Sequence, residues 1–258
     1  VLIFAFNTAE TDYVGIADRA AALAQKNLQL PVTLITDTDS QPKFAYDKIV
    51  RITQEDSKNV RQTVETNQTV TWRNLGRYQA YNLSPYDQTI LIDSDYFVLD
   101  SSLATLFDKS EYQIMYNNYG LNGHINNIMG PMSLQYVWAT VIVFDRSNLS
   151  EALFDLAGKI QRNYGYYCSL FNVPATNYRN DYAFAMAHYI VSNDPGHFIP
   201  YSMFTVDTAI DSIELAERIT IKTPNTAHIV PVQNLHIMSK QFLTSNKFDR
   251  FYQAAINV

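Results

Sequence analysis

The sequence predicts an α/β fold: a mostly parallel central sheet flanked by helices, in one domain over residues 1–258. Three observations carry this. Strand and helix patterns alternate through the first hundred residues, and that order argues a parallel sheet with right-handed crossovers. Ile90-Leu91-Ile92 is an apolar run that ends in Asp93-Ser94-Asp95, so it reads as a buried strand with two carboxylates at its carboxyl edge. The chain has 258 residues, 47% hydrophobic and 17% charged, which is enough for one large core.

The elements follow in order. Val1–Phe6 is a strand. Asp12 to about Leu28 has helical spacing, and Ala17, Ala20, Ala21, Leu23 and Ala24 give it a small-residue face for close packing. Val32–Thr36 is a second strand, closed by the polar turn Asp37-Thr38-Asp39-Ser40. Asp47–Ile52 is a short third strand. Thr71 to about Leu83 reads as a helix stopped by Ser84-Pro85. Thr89–Ile92 is the next strand, and Tyr96-Phe97-Val98-Leu99 continues as an apolar strand or turn. Gln113–Tyr116 and Ala139–Phe144 are strands. Asn117–Met132, rich in Asn and Gly, is expected as a long loop. Helices are expected at Ser150–Tyr164 and Asn180–Ile190, then a short apolar segment at Ile229–Val232 and a C-terminal helix.

Composition removes several function classes. Net charge is −6 and there is no Lys/Arg run, which argues against a nucleic-acid surface. Cys168 is the only cysteine, so no intrachain disulfide and no thiolate metal cluster is expected. A single cysteine fits a reducing compartment, and a cytoplasmic location is the expectation. No apolar run reaches the length of a membrane span. Val1–Phe6 lacks a basic flank and reads as a strand rather than a signal peptide. The sequons at Asn67, Asn82 and Asn148 are taken as chance in an Asn-rich chain.

Charge chemistry centres on Asp93 and Asp95. Two carboxylates at the end of a buried strand need partners, because an unpaired ionised carboxylate out of water is costly. A divalent cation with oxygen ligands satisfies both. The competing reading is a strand-end turn, where Asp is common. In the tail, Leu235-His236-Ile237-Met238-Ser239-Lys240 offers an imidazole, a metal ligand type, and an ammonium, a point-charge phosphate binder. A lone structural histidine is the alternative there.

These segments together resemble the GT-A-fold glycosyltransferases, and most of all the glycogenin-like family 8 enzymes. The resemblance runs over about residues 1–245. Phe6-Asn7-Thr8 with Asp12-Tyr13 resembles the loop after the first strand that holds the nucleobase. Arg77 falls where the family carries a basic residue for the donor. Ile92-Asp93-Ser94-Asp95 is similar to the family's metal motif, and Leu103-Ala104-Thr105-Leu106-Phe107-Asp108 to the segment after it. Asn180-Asp181 resembles the acidic segment beside the transferring sugar, and His236 with Lys240 the C-terminal metal and diphosphate motif. The family's Asn-Ser-Gly is replaced at Trp138-Ala139-Thr140, and the Gln after its acidic residue by Tyr182.

The resemblance implies a Rossmann-like GT-A domain with a nucleotide-binding half, residues 1–100, and an acceptor-shaping half, residues 101–258. It implies a metal-dependent, retaining transfer of a sugar from a nucleotide sugar, a UDP-sugar, to an unknown acceptor. Asp93, Asp95 and His236 are the expected ligands of Mn²⁺ or Mg²⁺, and the mixed carboxylate/imidazole set favours Mn²⁺. Phe6, Asn7, Tyr13, Arg77, Ser94 and Lys240 are expected at the donor. Asp181 is the candidate catalytic carboxylate, or a first-turn helix residue. Trp138 is a sugar platform or a core residue, and Asn180 is expected on the acceptor side. Two rivals stand beside this reading. One is a haloacid-dehalogenase-like phosphatase, whose first Asp is a nucleophile. The other is a non-catalytic nucleotide-sugar-binding module on the same fold.

Overall fold

The opening apolar stretch forms β1, Leu2–Phe4. It leads into α1, Tyr13–Leu28, then β2, Thr33–Thr36, β3, Lys48–Arg51, and β4, Gln88–Asp93. The chain continues through β5, Tyr96–Phe97, β6, Ile114–Asn118, and β7, Val137–Asp145. Next come α2, Asn148–Arg162, α3, Tyr164–Leu170, and α4, Asn180–Ser192. Strands β8, Met203–Val206, β9, Ser212–Leu215, β10, Arg218–Lys222, β11, Ala227–Pro231, and β12, Asn234–Ile237, precede α5, Lys240–Leu243, and α6, Asn246–Asn257. This computed structural model describes residues 1–53, 60–62, 69–71, 74–109, 113–118, 120–121, 124–125, 128–129, 134–135, 137–173, 177–193, 196–200, 203–206 and 209–257.

The central sheet has the order β3-β2-β1-β4-β7-β6. β3, β2, β1 and β4 are mutually parallel, and β7 runs antiparallel to both β4 and β6. The chain winds outward from β1 through β2 to β3, then returns to place β4 on the other side of β1. The order therefore reverses between β1 and β4, and open α/β sheets bind ligands outside the carboxyl ends of strands at such a reversal. Asp93, the last residue of β4, sits there, in register with Phe4 of β1.

Strand alternation divides the core in two. Ile3, Ile90, Ile92, Val141 and Val143 face one side with α1, while Leu2, Phe4, Leu91, Ile142 and Phe144 face the other with α2 and α4. Burying side chains of this size contributes about 1.5–3 kcal/mol each. Ala17, Ala20, Ala21 and Ala24 are fully buried on α1, so its backbone lies close to neighbouring elements. The side chain of Asp12 caps this helix by accepting from the Gly15 N–H at 2.9 Å. Gln29 ends it in the left-handed region at φ 55°. Lys26 then reaches across to the carbonyl oxygens of Ala255 and Ile256 in α6, at 3.0 and 3.1 Å.

Two expectations are corrected. The helix placed at Thr71–Leu83 is instead a strand Thr69–Thr71, a 3₁₀ stretch Asn74–Gln79 and one α-turn Ala80–Leu83. The β-branched Thr69-Val70-Thr71 favours pairing over helix, and the strand pairs antiparallel with Val60–Gln62. The long loop placed at Asn117–Met132 contains strand residues. Gly120–Leu121 pairs with His124–Ile125, and Ile128–Met129 with Leu134–Gln135. Tyr119, Asn122, Gly123, Asn126, Asn127 and residues 130–132 lie outside the described residues. The sequence reading also passed over β8, β9 and β10. No helix among the described residues is long and apolar enough to cross a membrane.

Candidate metal and diphosphate centre

The site is assembled by a small second sheet. In it β12 pairs parallel with β8 and antiparallel with β5. The register sets His236 opposite Tyr96, the residue after Asp95. The Ile237 N–H donates to the Asp95 carbonyl oxygen at 3.0 Å, so backbone bonds hold the two segments together. A separation of 141 positions in sequence thereby becomes a contact: His236 Nε2 lies 3.5 Å from Asp95 Oδ1. Ligand atoms of Asp93, Asp95 and His236 all fall within 4.8 Å of one another.

Each member is fixed from behind. The His236 ring is buried, its Nδ1 3.5 Å from the Thr205 hydroxyl on β8. Trp138 lies edge-on to that ring, with centroids 5.5 Å apart. Arg77, 0% exposed, donates from Nη1 to Asp93 Oδ1 at 2.6 Å and from Nη2 to the Thr140 carbonyl at 3.1 Å. Ser239 caps α5 by accepting from the Phe242 N–H at 3.3 Å. Lys240, the first residue of that helix, places its ammonium on Asp95 Oδ2 and 5.8 Å from the centre of the Tyr13 ring.

Burial drives the Asp93 carboxyl above its ordinary range, against the pull of Arg77. Burial acts the same way on Asp95. There Lys240 and His236 outweigh it and hold the carboxyl well below the usual carboxylate range. Two neighbouring carboxylates therefore sit in opposed electrostatic settings.

An irregularity in β7 joins this centre to Asp181. Trp138 pairs with Asn117 of β6 but Ile142 pairs with Tyr116, so Ala139, Thr140 and Val141 are extra relative to that strand. Their backbone groups are directed elsewhere. The Thr140 carbonyl accepts from Arg77, and the Ala139 N–H donates to Asp181 Oδ1 at 2.9 Å. Asp181 Oδ2 accepts from Arg179 Nη2 at 2.8 Å and Nε at 3.2 Å. This is the stretch, Trp138-Ala139-Thr140, where the chain departs from the pattern it resembles.

The expected site residues thus fall into groups. Asp93, Asp95, His236, Arg77 and Lys240 converge. Trp138 joins them through His236, and Tyr13 through Lys240. Ser94 is buried between the two carboxylates in sequence. Phe6 is buried beyond the carboxyl end of β1 and contacts Phe4. Asn7 holds the start of α1 by accepting from the Val14 N–H at 2.9 Å. Asn180 is buried and accepts from the Tyr178 hydroxyl at 3.0 Å. Asp37 caps its own turn, accepting from the Ser40 N–H at 2.9 Å.

Sequence reasoning missed Thr205 and Arg179. Arg179-Asn180-Asp181 carries a visible signal, a cation two residues before a carboxylate. Thr205 carries none, because its role depends on strand pairing.

No protein-family profile and no curated protein matches the chain. Among solved structures, the galactosyltransferase LgtC in complex with donor and acceptor sugar analogues covers 100% of this chain and 96% of its own, with a TM-score of 0.58 at 12% identity. An active-site mutant of LgtC covers 100% and 95%, with a TM-score of 0.60 at 12% identity. At such identities the likeness concerns the fold, and the chain has the GT-A fold.

Proposed function

We propose that this chain is a metal-dependent glycosyltransferase that moves a sugar from a nucleotide sugar, a UDP-sugar, to an acceptor with retention of anomeric configuration. The observation that supports it best is the convergence of Asp93, Asp95 and His236 within 4.8 Å, at the reversal point of a GT-A sheet. Two carboxylates and an imidazole fit a divalent cation, and the mixed oxygen/nitrogen set favours Mn²⁺ over Mg²⁺. Asp93, Asp95 and His236 would hold the ion. When bound, it would stabilise the departing diphosphate as a Lewis acid.

The remaining roles belong to the chain's own side chains. Lys240 neutralises phosphate charge, and Arg77 fixes the carboxylate of Asp93. Tyr13 stacks on the base, with Phe6 and Asn7 shaping that end of the donor pocket and Ser94 beside it. Asp181 is the carboxylate assigned to the sugar side, held in orientation by the Ala139 N–H and Arg179. Trp138 and Asn180 lie on the acceptor side. A phosphatase reading needs Asp93 as a nucleophile, and the guanidinium of Arg77 already engages its Oδ1.

Calorimetry with UDP, with and without Mn²⁺, tests the proposal. The expected outcome is metal-dependent binding that Asp95→Ala removes. Failure to bind UDP in either condition overturns it. Hydrolysis of a UDP-sugar, followed across a donor panel, separates an enzyme from a silent binder.

A further inference from the structure

Both carboxylates of the Asp93–Asp95–His236 cluster are matched by a cation of the protein itself: Asp93 by Arg77, and Asp95 by Lys240. The two carboxylates and the two cations offset one another in charge. A dication arriving alone gains little from such a cluster. It also meets an ammonium on the same carboxylate, at Asp95 Oδ2, while Oδ1 faces His236.

The two internal cations are held differently. Arg77 is fully buried and is fixed by the Thr140 carbonyl as well as by Asp93. Lys240 keeps 25% of its side chain exposed. It sits on a flexible four-carbon stem, and its ammonium also lies 5.8 Å from the centre of the Tyr13 ring. A diphosphate changes the balance twice. It brings negative charge to the cluster and offers Lys240 another anionic partner.

We propose that Lys240 competes with the metal for Asp95, so that the site refuses a free divalent cation and accepts one that arrives with a nucleoside diphosphate. The inference rests on the metal and nucleotide reading above and adds a binding order to it. Lys240 then acts with opposite sign on the two ligands, against the metal alone and in favour of the diphosphate. By linkage, each ligand raises the affinity of the other through this one side chain.

The test measures free Mn²⁺ by its electron paramagnetic resonance signal, in titrations of the full chain with and without saturating UDP. Wild type is compared with Lys240→Gln and Lys240→Arg, each checked for folding by thermal unfolding, with Lys240→Met as a second neutral variant. Lys240→Gln is expected to bind Mn²⁺ alone about tenfold more tightly than wild type, the scale of removing one adjacent unit charge. UDP should then strengthen Mn²⁺ binding less in Lys240→Gln than in wild type, and Lys240→Arg should keep the wild-type pattern. Adding Asp95→Asn should cancel the gain, which locates the ion at this cluster. Equal affinity of wild type and Lys240→Gln for Mn²⁺ alone overturns the proposal, as does an undiminished UDP effect in the variant. If UDP does not affect Mn²⁺ binding in wild type, the nucleotide reading fails; the comparison with Mn²⁺ alone still decides whether Lys240 competes for Asp95.

Discussion

Arg77 and Asp93 form an ion pair at 2.6 Å in which the arginine is 0% exposed and the aspartate side chain 23% exposed. The guanidinium also holds the Thr140 carbonyl, so it ties β4 to the irregular part of β7. Removing one partner of a buried pair leaves the other charged and unsatisfied. Arg77→Met is therefore expected to destabilise the fold by about 3–5 kcal/mol, read by denaturant unfolding. Arg77→Lys should recover only part of that, because an ammonium does not reproduce the planar fork that reaches both acceptors. A loss under about 1 kcal/mol for Arg77→Met would show that the pair carries little of the local structure.

Thr205 meets the site through His236. Its hydroxyl lies 3.5 Å from Nδ1, and the opposite nitrogen faces Asp95. Partners behind a metal-ligating histidine commonly carry about 10–100-fold in metal affinity, and this long contact places Thr205 at the lower end. Thr205→Val should weaken Mn²⁺ binding in the presence of UDP about tenfold and leave thermal stability close to wild type. Unchanged Mn²⁺ affinity would remove Thr205 from the site.

Much of this centre was legible in the sequence, for reasons that differ by residue. Asp93 and Asp95 stand out because a buried strand ending in two carboxylates is a local pattern. His236 stood out as an imidazole four residues before Lys240, with a lone structural histidine as the alternative; its contact with Asp95 is made by the pairing of β12 with β5, a register that no local signal encodes. The β7 irregularity was hidden for the same reason. Ala139–Phe144 reads as one unbroken strand, yet the backbone of the observed strand, Val137–Asp145, supplies the anchors for Arg77 and Asp181. The helix expected at Thr71–Leu83 failed because apolar spacing does not separate a 3₁₀ stretch from an α-helix.

Gly158 on α2 faces Tyr78. A Cβ at that position would lie 2.6 Å from Tyr78 Cδ2 and 3.0 Å from Cε2. Replacing glycine inside a helix with alanine ordinarily stabilises by about 1 kcal/mol. Here the ring must move, and overpacking costs about 1–3 kcal/mol. Gly158→Ala should therefore lower stability, and Tyr78→Ala should restore the helix gain when combined with it. Additive effects in the double variant would show that the contact does not decide the outcome.

Alkaline stability follows from buried phenols. Burial raises the pKa of Tyr116, and burial followed by the charge of Asp181 raises that of Tyr178. Unfolded tyrosine titrates near 10. A folded pKa above the unfolded one means the contribution is fully present below about pH 10 and is lost as pH rises beyond it. Each such tyrosine should steepen the loss by up to about 1.4 kcal/mol per pH unit. Tyrosinate absorbance and circular dichroism should change together in an alkaline titration. Ionisation of Tyr116 and Tyr178 ahead of unfolding, identified with Phe variants, would contradict their burial.

Asp181 separates structure from chemistry. Its Oδ1 receives the Ala139 N–H and its Oδ2 the Arg179 guanidinium, so the carboxylate anchors the start of α4 to β7. The Arg179 side chain is 40% exposed, and a pair so open to water contributes only about 0–1 kcal/mol. Asp181→Asn retains an oxygen for the Ala139 N–H and should stay within about 1 kcal/mol of wild type. A carboxylate needed beside the reacting sugar would reveal itself otherwise. Asp181→Asn should then bind UDP with Mn²⁺ as tightly as wild type while kcat for UDP-sugar turnover falls by about a hundredfold or more. Asp181→Ala, which loses the Ala139 bond as well, should lose stability in addition. Equal turnover in Asp181→Asn and wild type would assign Asp181 to the helix anchor alone, and the search for the sugar-side group would move to other residues that line the β7 irregularity.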